Sequence, residues 1–106
     1  MFIGKIVGTV VSTQKVKQMV GWKLLIVEPY RVDTVNRDRM VTTNRSLVVV
    51  DFLGCGEGDF VLVCQGSSAR QTPETKPVPV DAVVIGLVNA VTVEGKTVLL
   101  QQPEEK

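Results

Sequence analysis

The residues with the most chemical potential lie between Phe52 and Thr72, in FLGCGEGDFVLVCQGSSARQT, where glycines at 54, 56 and 58 frame Cys55 and Glu57 and a GSSAR turn follows a short apolar run. Three chemistries use such parts: a glycine-rich cradle for phosphate, a nucleophile elbow of the form G-x-S-x-G, and a cysteine-based metal site. The dinucleotide fingerprint G-x-G-x-x-G needs a strand before it and a helix after it, because the helix N-terminus holds the pyrophosphate. In GCGEG the third glycine comes one place early, an apolar strand-like run follows, and Glu57 would repel a phosphate. Gly4 with Lys5 and Gly95 with Lys96 are the only Gly-Lys pairs, and neither sits in a G-x-x-x-x-G-K-[ST] frame.

The elbow fails similarly, since Gly66, Ser67, Ser68 and Ala69 are followed by Arg70 where glycine is required. The chain contains no histidine, which removes Ser-His and Cys-His nucleophiles, His-containing zinc sites and the commonest general base. Ser67 or Ser68 instead fits a cap on one helical turn, with Arg70 reaching a carboxylate or carbonyl. Glu57, Asp59 and Asp81 read as turn or capping residues, because nothing in the sequence makes two of them converge on a substrate. No catalytic residue, cofactor site or metal site is expected, and the chain does not read as an enzyme.

At 106 residues the chain is one domain. Hydrophobic residues make up 44% and charged residues 22%, which suits a globular protein, whereas an aromatic share of 5% is thin for a base-stacking surface. A net charge of +1 gives no overall pull toward a polyanion or an anionic membrane. Apolar runs fall well short of the ~20 residues that span a bilayer, and the start MFIGKIVGTVV has no targeting pattern. Cys55 and Cys64 are too far apart for a Cys-x-x-Cys pair and read as small packed hydrophobes. A soluble cytoplasmic protein with reduced thiols is expected.

The elements that must position these residues are strands. Phe2 to Val11 is rich in β-branched residues, with Gly4 and Gly8 marking a sharp bend or the close approach of another backbone. Lys23 to Pro29 reads as a second strand that Pro29 terminates. Tyr30 to Arg45, with Arg31, Arg37, Arg39 and Arg45 against Asp33 and Asp38, reads as a long exposed loop or a flexible hairpin. Ser46 to Phe52 and Asp59 to Gln65 are apolar enough to be buried on both faces. After a proline-rich loop, VDAVVIGLVNAVTV is too long for one simple strand unless Gly86 marks a bend or bulge. A last hairpin turns at Glu94 and Gly95. Together these predict an all-β fold, a small closed or nearly closed barrel.

Four blocks in this order, IGKIVGTVVSTQK, KLLIVEP, GCGEGDFVLVCQGSSAR and PVDAVVIGLV, resemble the EutN/CcmL family of bacterial microcompartment vertex proteins. The resemblance runs to about Gln101, so residues 1–102 form one domain and residues 103–106 a frayed tail. It implies a five-stranded, OB-like β-barrel with a short helical turn. It also implies a homopentameric ring that caps shell vertices of carboxysomes or metabolosomes, beside hexameric shell proteins and inside the cell. Under it, Gly54, Gly56, Glu57, Gly58, Gly66, Ser67, Ser68 and Arg70 become assembly or pore-loop residues, and Asp81 a further contact of the motif. Crowding near a ring axis would require glycine and positive φ in the loop, so valine at Gly56 should be worse than alanine. Cys55, if it lined a pore, would bring five thiols together. The alternative left open by such a barrel is an OB-type binder of single-stranded nucleic acid, weakened by the shortage of strand-borne aromatics.

Overall fold

The computed structural model describes residues 1–11, 23–66 and 81–98. Eight strands order them: β1 (Phe2–Val10), β2 (Lys23–Val32), β3 (Met40–Thr42), β4 (Leu47–Asp51), β5 (Phe60–Gln65), β6 (Ala82–Leu87), β7 (Thr92–Val93) and β8 (Lys96–Thr97). Pairing runs β1-β5-β6-β4-β2, and β2 pairs again with β1, so five strands close into a barrel. All neighbours are antiparallel except β4 and β6, which meet in parallel at Val50 and Val83. β3 extends the sheet beside β2, and β7 with β8 forms a separate hairpin.

Alternation along each strand sends one set of side chains inward. Ile6, Leu25, Val27, Val49, Val61, Val63, Ala82 and Val84 meet there as a single core, joined by Cys55 from the loop after β4. Short, stiff valines dominate because a five-stranded barrel leaves only a narrow interior to fill.

The glycines of β1 act as expected. A Cβ on Gly4 would lie 2.5 Å from Val27 Cγ2 and 3.0 Å from the Glu28 carbonyl oxygen, so only glycine lets β1 and β2 come this close. The register between them slips by one at Val7, between Ile6 and Gly8, which bends β1 around the barrel. A second slip makes Ile85 the extra residue opposite Leu62 and Val63, next to Gly86. The Glu94–Gly95 turn has φ of 53° and 80°, the paired left-handed residues of a tight hairpin.

One expectation is corrected, one alternative is selected and one holds in part. Pro29 does not end its strand; it pairs with Gly4, and β2 continues to Val32. Its carbonyl faces Thr43, whose N–H donates to it at 3.0 Å. The missing N–H would point the same way, into the gap between β4, paired up to Val27, and β3, paired from Tyr30, so no ladder bond is lost. The segment from Tyr30 to Arg45 takes the hairpin alternative, with Met40 buried and Tyr30 set edge-on to Phe60 at 5.2 Å. Burial on both faces holds only in part for β4, where Val49 and Val50 are buried and Val48 is exposed.

Candidate functional site

The glycine loop spans residues 52 to 59, between β4 and β5, and one side chain organises it. Asp51, at the end of β4, is only 3% exposed. Its Oδ1 accepts from the Leu53 N–H at 2.9 Å and its Oδ2 from the Cys55 N–H at 2.8 Å. Gly54, with φ of 81°, supplies the left-handed step that aims both N–H groups at the same carboxylate. The Cys55 carbonyl then accepts from Lys23 Nζ at 2.6 Å, tying the loop to the start of β2.

A second turn follows at once. The Asp59 N–H donates to the Gly56 carbonyl at 3.1 Å, and Asp59 Oδ2 accepts from the Gly56 N–H at 2.9 Å. Gly58, with φ of 94°, occupies the third turn position, where positive φ is needed. The Gly58 N–H donates to Ile6 and the Ile6 N–H donates to Asp59, stitching the turn to β1 beside its bulge. Asp59 is therefore the capping residue its sequence context suggested, and Glu57 stands exposed at the tip.

Gly56 departs from expectation. Its φ is not positive, and an added Cβ would meet nothing within 4 Å. The turn conformation thus requires glycine at 54 and 58 but not at 56. We expect Gly58→Ala to cost about 1–2 kcal/mol of stability, the penalty for a left-handed residue with a side chain. Gly56→Ala should leave the stability of the isolated protomer unchanged. Equal losses for both, measured at one protomer concentration, would contradict this division.

Cys55 is buried in the core and Cys64 is half-buried; neither is in a disulfide. The Cys55 thiol is pushed up to about 11, first by burial, then by the charge and hydrogen bond of Asp51 and the charge of Asp59, with Lys23 opposing. The folded chain therefore holds this proton more tightly than the unfolded chain, whose thiol sits near 9. The resulting stabilisation is complete below that value and is lost as pH rises through it toward about 11. Iodoacetamide at about pH 8 should leave Cys55 unmodified in the folded protein and alkylate it in urea, as read by peptide mass mapping. Rapid alkylation of the folded protein would place the thiol at the surface.

The structure separates what the sequence made look like one site. The Gly66 N–H, from a residue with φ of 73°, donates to the Asp81 carbonyl at 2.7 Å at the far end of β5. A six-residue strand, roughly 20 Å long, stands between that pair and the glycine loop. Gly54, Gly56, Glu57 and Gly58 share one loop, while Gly66 and the exposed Asp81 share another location; Ser67, Ser68 and Arg70 lie outside the described residues. Asp51 and Lys23 were missed. The available signal for Asp51 was an acidic residue closing an apolar strand immediately before a glycine turn, a position suited to capping backbone N–H groups.

Among the described residues no group of three or more His, Cys, Asp or Glu could hold a metal ion. An open groove of about 450 Å³ between the β2–β3 hairpin tip and the β7–β8 hairpin is lined by Val35, Asn36, Arg37, Asp38, Val93, Glu94 and Lys96. Its Arg37–Glu94 ion pair, at 3.5 Å, is largely solvated on both sides and contributes little. Of the three aromatics set in the described strands, Tyr30 and Phe60 pack against each other, with Phe60 buried, and Phe2 is half-buried against the core, so these residues offer no stacking platform for bases.

A family model described as "Ethanolamine utilisation protein EutN/carboxysome" matches residues 1–89. The bacterial microcompartment shell vertex protein GrpN of Rhodospirillum rubrum is 40% identical over 91 residues, 86% of this chain and 96% of that one. The solved pentameric GrpN shell protein superimposes with a TM-score of 0.70 at 38% identity, covering 88% of this chain and 98% of that chain. The carboxysome protein CcmL of Gloeobacter violaceus superimposes with a TM-score of 0.80 at 37% identity, covering 95% and 98%. GrpN and CcmL are described as shell vertex proteins. They lend no support to a nucleic-acid-binding barrel.

Proposed function

The chain belongs to the EutN/CcmL family, and from that membership we propose that five copies close into a ring that caps the vertices of a bacterial microcompartment shell. The single observation that carries this reading is the same barrel, over nearly the whole length of both chains, in a relative described as a pentameric shell protein. The role is structural. A sheet of six-fold tiles stays flat, and five-fold tiles supply the corners that let it close. The hexameric shell proteins that would form those sheets are the partners, and the finished shell lies inside the bacterial cell.

The glycine loop suits an assembly role. Asp51, Asp59, Lys23 and the backbone of Ile6 hold it rigidly, so little conformational entropy remains to be lost on association. Gly56, which the turn itself does not require, leaves an unobstructed spot where a neighbouring copy can approach. The buried Cys55 gives no reason to place a ring of thiols in a pore. Glu57 at the tip and Gly66, Ser67, Ser68 and Arg70 beyond β5 are assigned to contacts with neighbours in the ring or with adjoining shell tiles, and Asp81 supports the Gly66 turn. Native mass spectrometry of the purified chain should show a species of five protomers. A protein that stays monomeric across a wide concentration range would overturn this proposal.

A further inference from the structure

The outward surface of the barrel is unevenly apolar. Positions that alternate with the core point away from it, and some carry charge, as at Lys5 and Glu28, which face each other across β1 and β2. Two faces differ. On the first, Gly8 of β1 lies opposite Ile26 of β2, which lies opposite Val48 of β4. Val48 is 54% exposed, and the bulged Val7, next to Gly8 on β1, is 41% exposed. On the second, Ile3 of β1 lies opposite Leu62 of β5, which lies opposite Gly86 of β6, with the bulged Ile85 39% exposed.

Each face carries a glycine inside a strand, and neither glycine is needed by the protomer. Neither has positive φ. An added Cβ would lie 3.5 Å from Ile26 Cδ1 at Gly8 and 3.8 Å from Leu62 Cβ at Gly86, which are ordinary contacts. Glycine in a strand is less stable than alanine by roughly 0.5–1 kcal/mol, and the bulges beside these two set neither a positive φ nor a tight contact that demands it, so a reason outside the single chain is left. Close approach by another chain supplies it.

The closed barrel also limits how a partner can dock. The five barrel strands are paired on both sides, β4 and β6 through the single Val50–Val83 pair, so on the two faces described a neighbour packs on side chains. The two faces are unlike and flank β1, one over β2 and β4, the other over β5 and β6. A ring repeats one heterologous contact and needs two unlike patches on every copy. Resting on the five-copy reading above, we infer that the Val7, Ile26 and Val48 face of one copy packs against the Ile3, Leu62 and Ile85 face of the next. Gly8 and Gly86 are the depressions that receive the neighbour's apolar side chains.

The test uses Val48→Asp and Leu62→Asp, each examined alone and then mixed in equal amounts, with native mass spectrometry as the readout. Each variant alone should fall from the ring mass to that of a single protomer. The mixture should give a species of one copy of each variant and nothing larger, because each retains one intact face. A ring from either variant alone overturns the inference. So does a mixture that remains monomeric while both variants keep the wild-type far-ultraviolet circular dichroism. Gly8→Leu and Gly86→Leu, which fill the depressions without adding charge, are read in the same way if an aspartate variant unfolds. Failure of the five-copy reading itself is distinct, since it would show in the unmodified chain.

Discussion

Replacing Asp51 with alanine should lower the folding free energy by about 3–5 kcal/mol, a large part of the stability of a domain this size. The carboxylate is buried and accepts two charge-assisted hydrogen bonds, from Leu53 and from Cys55. Each is worth about 1.5–3 kcal/mol, and alanine leaves the Cys55 N–H, buried beneath the loop, without an acceptor. Asp51→Asn should be intermediate: its amide oxygen can serve one N–H, while its NH2 group faces the other, donor against donor. Urea unfolding at matched protomer concentration provides the check, with the midpoint shifted and the slope unchanged. A loss below about 1 kcal/mol would mean that water takes over both bonds and that the carboxylate does not set the loop.

The second large effect is expected at Gly4. Alanine there should cost about 1–3 kcal/mol, and valine should prevent the barrel from closing. The added Cβ meets Val27 Cγ2 at 2.5 Å and the Glu28 carbonyl at 3.0 Å; the backbone atom cannot yield without parting β1 from β2. Those strands form one wall of the barrel, paired over seven positions. Gly8→Ala in the same strand is the internal control, since its Cβ meets only ordinary contacts. It should leave the protomer's stability unchanged or slightly raised and show any effect in ring formation. Equal destabilisation at Gly4 and Gly8, followed by thermal unfolding, would show that strand propensity and not steric closeness governs β1.

Local pattern made several features legible. The valine-rich runs announced β1, β4, β5 and β6 because β-branched side chains fit a pleated, half-buried surface. The Glu94–Gly95 turn and the bulge beside Gly86 were readable because glycine is used where φ is positive or a strand bends. Pro29 misled, since a proline ends a strand only where its missing N–H would have been used. At that point β2 has just left β4 and has not yet met β3. Gly56 misled in the opposite way: spaced evenly between Gly54 and Gly58, it looked conformationally required and is not.

By itself the sequence determined the class of the molecule: an all-β fold, the missing histidine that closes off the usual nucleophilic chemistry, and the ordered blocks of its family. Those properties are local or compositional, and no contact is needed to read them. Only the tertiary structure decided that Asp51 is buried and caps its own loop. It also decided that the glycine loop and the Gly66 turn stand at opposite ends of β5, and that two unlike apolar faces flank β1. Each of these depends on which strands become neighbours. The parallel meeting of Val50 with Val83 joins residues far apart in the chain, and a closed barrel fixes inside and outside only when its last pairing forms.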